Sequence, residues 1–220
     1  MKKICKILNA LLFLASWSWP KVKFVILMLA AFALCQFAAL AQAEDWWKTP
    51  LLTPEGESQR LSSLVAENGI ILLFMDPDCP VTQKYGSTIR ELHQTYEEEG
   101  MAIAAVYPVV NADPEKIRGF AVDYQFPFTH LLDPKLEFTK AIGASITPEV
   151  FLLNTEGGIL YQGAIDNWFY ELGRYRRVIT KHYLKDALEA HLAGRPVPTE
   201  KTKAVGCMIG TGMLHHSDHH

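Results

Sequence analysis

Residues 70–82 read IILLFMDPDCPVT, and this stretch decides the fold. Six consecutive apolar residues, 70–75, suit a strand buried on both faces. Asp76-Pro77-Asp78-Cys79-Pro80 breaks that strand. Beyond it Val81, Tyr85, Ile89, Leu92 and Tyr96 recur at intervals of three and four, the spacing of one helix face, and Gly100 stops the helix. A cysteine is thereby set at the junction of a buried strand and a helix. Free N–H groups at a helix start favour anions, so Cys79 is a candidate nucleophile. Asp76 and Asp78 add negative charge that opposes this.

The pattern then repeats. MAIAAVY (101–107) reads as a second buried strand. Asp113-Pro114-Glu115 is a helix start, with a cap residue followed by proline; that helix runs to about Tyr124. Residues 126–132 are extended, and Asp133-Pro134 opens a short helix ending near Gly143. EVFLL (149–153) and GILYQ (158–162) flank Asn154–Gly157 as a hairpin. Residues 174–193 are expected to form a last amphipathic helix, stopped by Gly194 and Pro196. Residues 46–68 read as irregular or hairpin. Alternating strands and helices give a parallel core, to which the hairpin adds antiparallel strands.

Composition agrees with a globular domain. The chain has 220 residues, 49% hydrophobic and 20% charged, which excludes a disordered or collagen-like protein. Net charge is −3, and Lys2, Lys3, Lys6, Lys21 and Lys23 all precede the first acidic residue. The remainder is therefore more acidic still, which argues against nucleic acid as a partner. Residues 24–41, FVILMLAAFALCQFAALA, follow Lys21-Val22-Lys23 and precede Ala41-Gln42-Ala43. A basic region, an apolar run and an A-x-A site make residues 1–43 a signal peptide, with an N-terminal membrane anchor over 24–41 as the alternative. The expected location is exported: periplasmic or secreted. After cleavage only Cys79 and Cys207 remain of the four cysteines, in a compartment where a disulfide persists.

With these elements in place, the Asp-Cys-Pro junction resembles the active site of the thioredoxin superfamily. Ile146-Thr147-Pro148 resembles the cis-proline loop that faces the reactive cysteine there. Within the superfamily the chain is similar to secreted redoxin-domain proteins of the peroxiredoxin-like branch, through CPVTQKY, TPEVFLL, YQGAID and TKAVGCMI. The resemblance implies a thioredoxin-like three-layer α/β/α domain with a mixed central sheet, over residues 46–195. It also implies a cis Pro148 whose loop presents the backbone of Thr147 to a substrate strand, with Glu149 beside it as a substrate-binding or proton-accepting group. The chain departs from both standard motifs. Thr82 stands where a dithiol protein has its second cysteine, and the Pro-x-x-x-Thr-x-x-Cys order of peroxiredoxins is exchanged. The Thr82 hydroxyl has two readings: a hydrogen bond to Cys79, or one to backbone.

The remaining chemistry lies in residues 196–220, expected as a flexible tail. Cys207 is either a resolving thiol for Cys79 or a lone surface thiol. His215, His216, His219 and His220 with Asp218 could bind copper or zinc. The expected function is an exported thiol–disulfide oxidoreductase using Cys79 and resolved by Cys207. It would act on protein or small-molecule disulfides, draw on a separate electron donor and require no cofactor. The alternatives are a peroxiredoxin-type thiol peroxidase acting on peroxide, and a non-enzymatic copper-binding or delivery protein.

Overall fold

The central strand β3 (Gly69–Phe74) is buried at every residue, and its side chains alternate between two cores. Ile71 and Leu73 enter one cluster, whereas Ile70, Leu72 and Phe74 enter the other. Burial on both faces is what a run without polar alternation requires. The structure, a computed structural model, describes residues 45–210, and those from Trp46 to residue 210 belong to one compact unit. The readings made for residues 1–43 and for the histidine tract at 215–220 lie outside the described residues.

Seven strands form the main sheet in the order β2 (Ser58–Arg60), β1 (Pro50–Leu52), β5 (Thr129–Leu132), β4 (Met101–Tyr107), β3, β7 (Glu149–Leu153) and β8 (Ile159–Gly163). β1 and β2 are a hairpin, and β1 joins the edge at β5 through Leu52 and Leu132. β4 runs parallel to β3 and β5, whereas β7 and β8 are antiparallel additions. The sheet is mixed, as the alternation of elements predicts.

Helices cover both faces. α1 (Pro80–Lys84), α2 (Gly86–Glu97), α3 (Pro114–Tyr124) and α5 (Tyr183–Leu192) send Val81, Ile89, Ile117, Phe120, Leu184 and Leu188 into the first core. α4 (Glu137–Ile142) packs Phe138 and Ile142 into the second, beside Leu51, Leu61 and Trp46. Asp113 caps α3 by accepting from Glu115 N–H at 3.0 Å, with Pro114 opening the helix. α4 starts later than Asp133-Pro134 suggests. Asp133 is buried and accepts from both the amide and the hydroxyl of Thr139 (2.7 and 2.6 Å), so it caps from a distance.

Three expectations are corrected. The helix over 81–99 is two helices, interrupted at Tyr85, whose amide is shared between the carbonyls of Val81 and Thr82. The helix over 174–193 begins only at Tyr183. Arg174–Tyr175 instead form β10 against β9 (Phe169–Glu171), closed by the Arg174–Glu171 ion pair and by Tyr175 against Trp168 and Phe169. The tail after residue 195 is not loose over its described part. Gln162 bridges Lys201, Ala204 is buried, and Cys207–Met208 form a strand, β11, paired antiparallel to β6 (Ile146–Thr147). Its lack of apolar periodicity misleads because backbone pairing and scattered single side chains, not a periodic stripe, do the docking.

Candidate active site

Cys79 ends the loop after β3 and is the N-cap of α1, with extended backbone and Pro80 at the first helical position. It is fully buried. Its thiol donates to the Thr147 carbonyl at 3.0 Å, and the Thr147–Pro148 peptide bond is cis. Strand pairing sets Cys207 opposite Thr147, the residue whose carbonyl receives the Cys79 thiol, so the two cysteines are neighbours that bear on one another's titration. Both cysteines are free thiols. Cys79, Thr147, Pro148 and Cys207 therefore meet at one point.

Burial pushes the Cys207 thiol up to about 12; its hydrogen bond with Cys79, the Cys79 charge and the charge of Asp76 add to the rise. Cys207 is thus held as a thiol at neutral pH. Asp76, half-buried at the end of β3, accepts from the Asp78 amide at 2.9 Å. Its pKa is raised, first by burial; the hydrogen bond from Asp78 opposes this, Asp78's charge adds to it, and Lys116 lowers it. Asp78 itself is paired with Lys116. Of the two aspartates read as opposing a thiolate, one is neutralised by an ion pair and the other is close enough to bear on Cys207.

The other candidates separate. Thr82 is buried, and among the described residues its hydroxyl has no hydrogen-bond partner, so it makes neither bond anticipated for it. Glu149 does not face the cysteines as a free base. It is buried, and its carboxylate accepts from the amides of Ser145 (2.8 Å) and Ile146 (3.3 Å) and from Gln162 Nε2 (3.0 Å). It holds the loop that carries Thr147 and Pro148. Among the described residues no group of three or more His, Cys, Asp or Glu gathers to hold a metal ion.

Two features escape a reading of the sequence. Tyr85 donates to the buried carboxylate of Asp166 at 2.6 Å, and the Trp168 amide donates to the same oxygen at 2.7 Å. Burial first, then this carboxylate, raises the Tyr85 phenol. The pair lines a small recess with Pro148, Ala164, Phe169 and Val205, so the aromatic insert packs against the α1–α2 junction and the cis-proline loop. The second feature is Gln162, whose amide donates to the Glu200 carbonyl at 2.8 Å and whose carbonyl accepts from Thr202 N–H at 2.9 Å. Its side chain holds Glu149. One residue of β8 therefore ties the tail to the cis-proline loop. Tyr85 already stands in the apolar helix pattern and Asp166 in the YQGAID match, but no spacing links residues 81 positions apart.

Residues 41–162, more than half of the chain, match the model of the AhpC/TSA family. The chain belongs to the AhpC/TSA family. A curated relative is the thiol-disulfide oxidoreductase ResA of Halalkalibacterium halodurans, 32% identical over 108 residues, covering 48% of this chain and 58% of that protein. The chain thus spans less than two thirds of that relative's length. Among solved structures, an uncharacterized conserved protein from Geobacillus kaustophilus superposes with a TM-score of 0.65 at 26% identity, over 74% of this chain and 89% of that one. A hypothetical protein from Sinorhizobium meliloti does so with the same TM-score at 23% identity, over 73% and 89%, and speaks to fold alone. This AhpC/TSA member is a thioredoxin-like redoxin domain, in agreement with the resemblance drawn from its motifs.

Proposed function

We propose that the chain is an exported thiol–disulfide oxidoreductase in which Cys79 attacks and Cys207 resolves. The observation that carries this reading is the pairing of β11 with β6, which sets Cys207 opposite Thr147, the residue whose carbonyl receives the Cys79 thiol. The relation to the Halalkalibacterium halodurans oxidoreductase supports the same class of chemistry. Export rests on the basic and apolar leader at residues 1–43.

The steps balance as thiol–disulfide exchange. Cys79 loses its proton to solvent as it leaves the Thr147 carbonyl, and the thiolate attacks one sulfur of a substrate disulfide. A Cys79–substrate disulfide forms, and the other substrate sulfur leaves as a thiolate. Cys207 then attacks the Cys79 sulfur, closing a Cys79–Cys207 disulfide and releasing the second substrate thiolate. Asp76 accepts the Cys207 proton, a role suited to a carboxylate whose own pKa is raised. Once Cys79 is in a mixed disulfide it is no longer an ionisable neighbour of Cys207, which removes one cause of the high Cys207 pKa. A separate dithiol donor reduces the internal disulfide and restores both thiols. The unpartnered Thr82 hydroxyl, one turn beyond Cys79, is available to the thiolate when Thr147 is released.

The test is turnover of the full chain with a dithiol reductant and a disulfide substrate, followed by mass spectrometry without reduction. Wild type should turn over repeatedly and lose two hydrogens on oxidation. Cys207→Ser should stop after one event with substrate bound to Cys79, and Cys79→Ser should be inert. Repeated peroxide consumption without disulfide turnover would transfer the assignment to a thiol peroxidase. Copper retention by wild type but not Cys79→Ser, with no turnover of either, would transfer it to metal delivery.

A further inference from the structure

We propose that the edge of β6 beside Cys79, where the resemblance already implies that a substrate strand docks, selects an extended peptide bearing cysteine directly after glycine, as in the chain's own tail that occupies it. The proposal rests on the oxidoreductase reading above and adds the class of substrate. β6 is two residues long, lies outside the main sheet, and pairs with β11 alone among the described strands. An antiparallel strand laid on this edge has its cysteine opposite Thr147, whose carbonyl also receives the Cys79 thiol. Main-chain pairing gives such a site its grip, and individual side-chain positions give it selectivity.

The selective position is Gly206. A Cβ there would lie 2.0 Å from the Thr147 oxygen, 2.7 Å from its carbonyl carbon and 3.1 Å from Pro148 N. All three are backbone atoms of the loop that Glu149 clamps through the amides of Ser145 and Ile146, so they have little room to yield. The Gly206 backbone is not left-handed; the demand is for close approach, not for an unusual dihedral. Beside it Val205 of the tail lines one side of the small recess shared with Tyr85, Pro148 and Phe169. Beyond the cysteine, Ile209 N–H donates to the Ser145 carbonyl at 2.9 Å, and Ile209 packs on the second core. The occupied site reads Val-Gly-Cys-Met-Ile.

Cys79 is fully buried beneath this arrangement, so an external sulfur reaches it only when the tail gives way. A displaced tail leaves the β6 edge with the same backbone groups and the same lack of space opposite Thr147. A peptide with glycine before its cysteine fits that edge, and one with a larger residue there does not. Substrate strand and tail therefore exclude one another, and Cys207 returns to attack only as the substrate strand lifts off.

The test uses the full chain carrying Cys207→Ser and a peptide of residues 201–209 whose cysteine is a mixed disulfide with 5-thio-2-nitrobenzoate. Attack by Cys79 forms the Cys79–peptide disulfide and releases the coloured thiolate. The glycine peptide should react at least tenfold faster than the same peptide carrying G206V. A small control, the nitrobenzoate disulfide of free cysteine, has no preceding residue and measures the reactivity of Cys79 itself. Adding Gly206→Ala to the protein should dislodge its tail and raise the rate with the glycine peptide. Equal rates for the glycine and valine peptides would overturn the proposal. The site is also read without thiol chemistry: a peptide with serine for cysteine should shift the NMR signals of Ser145–Thr147 in the Gly206→Ala protein, and its G206V form should not. An inert small control with those shifts intact would overturn the oxidoreductase reading and leave the docking site standing; absent shifts would overturn the docking site.

Discussion

Thr202→Val separates tail docking from the stability of the domain. In wild type the Thr202 hydroxyl accepts from Ala164 N–H at 3.0 Å and pairs with the Tyr161 hydroxyl at 2.6 Å, while Tyr161 donates to the Ala164 carbonyl at 2.5 Å. Donors and acceptors close a ring if Thr202 donates to Tyr161. Valine has nearly the same shape and no hydroxyl. Tyr161 keeps its bond to Ala164, but the part-buried Ala164 amide loses its acceptor whenever the tail is docked. Leaving such a group unsatisfied costs about 1–3 kcal/mol, whereas in the undocked state water satisfies it. At 1.4 kcal/mol per factor of ten, tail opening should become roughly 5- to 150-fold more frequent.

Hydrogen exchange measures this on reduced protein. The amides of Thr202 and Ile209, bonded to the carbonyls of Gln162 and Ser145, should lose protection by that factor. Amides of β3, inside the main sheet, should change less, because the tail opens as a unit smaller than the fold. Equal losses in tail and β3 would mean that the tail opens only with global unfolding, and the displacement argued for substrate access would then be wrong. No loss at either place would show that the hydroxyl ring contributes nothing to docking.

Other perturbations test the site separately. Asp76→Asn should stabilise the protein at neutral pH: burial raises the folded pKa of Asp76 above its ordinary value, so stability present below the ordinary carboxylate range is lost as pH rises through the raised value. The gain should vanish in acid, and resolution of the mixed disulfide should slow; urea melts across pH and single-turnover quench read the two, and an equal gain at all pH values would contradict the burial argument. Tyr85→Phe removes the bond to the buried Asp166 carboxylate, a loss of about 1.5–3 kcal/mol for a hydrogen bond to a charged group; a thermal melt should fall by roughly 2–4 °C per kcal/mol, and an unchanged midpoint would show that Asp166 finds another partner. Glu149→Gln keeps one acceptor but loses the charge that gathers Ser145, Ile146 and Gln162; oxidation of the Cys79–Cys207 pair should slow, and an unaltered rate would free the loop geometry from Glu149.

Much of the domain is legible in short windows. The apolar runs at β3 and β4, the Asp113-Pro114 start of α3 and the Asn154–Gly157 turn each carry their signal within a few residues. The position of Cys79 follows from the same windows, because strand and helix meet there. What the windows miss is long-range and carried by backbone. β11 is two residues long, and its partner lies 60 positions earlier. Gly206 reads as a flexible residue in a flexible tail, yet its role is to present no side chain to the Thr147 carbonyl. Glu149 reads as a strand-end charge open to the site, whereas three donors already occupy its carboxylate. Residues 174–182 suggest a helix because Tyr175, Val178 and Ile179 recur at helical intervals, yet Val178 is exposed and the segment turns back on β9 instead.

In the proposed cycle, the burial of Cys79 and the protonation of Cys207 give one order of events. A thiol held up to about 12 beside a fully buried partner is slow to close a disulfide by itself. The docked, reduced state is therefore a resting state and not a spontaneous route to oxidation. An arriving disulfide changes both restraints together. Displacing the tail exposes Cys79, and bonding Cys79 to substrate removes an ionisable group from the surroundings to which Cys207 returns. Asp76 is in reach only of a docked Cys207, since its effect on that thiol depends on the β11–β6 pairing. Proton removal and sulfur attack thus coincide with the return of the tail to β6, the same step that withdraws the edge from the substrate strand. Release and resolution are then one motion, governed by the fit of Gly206 against Thr147.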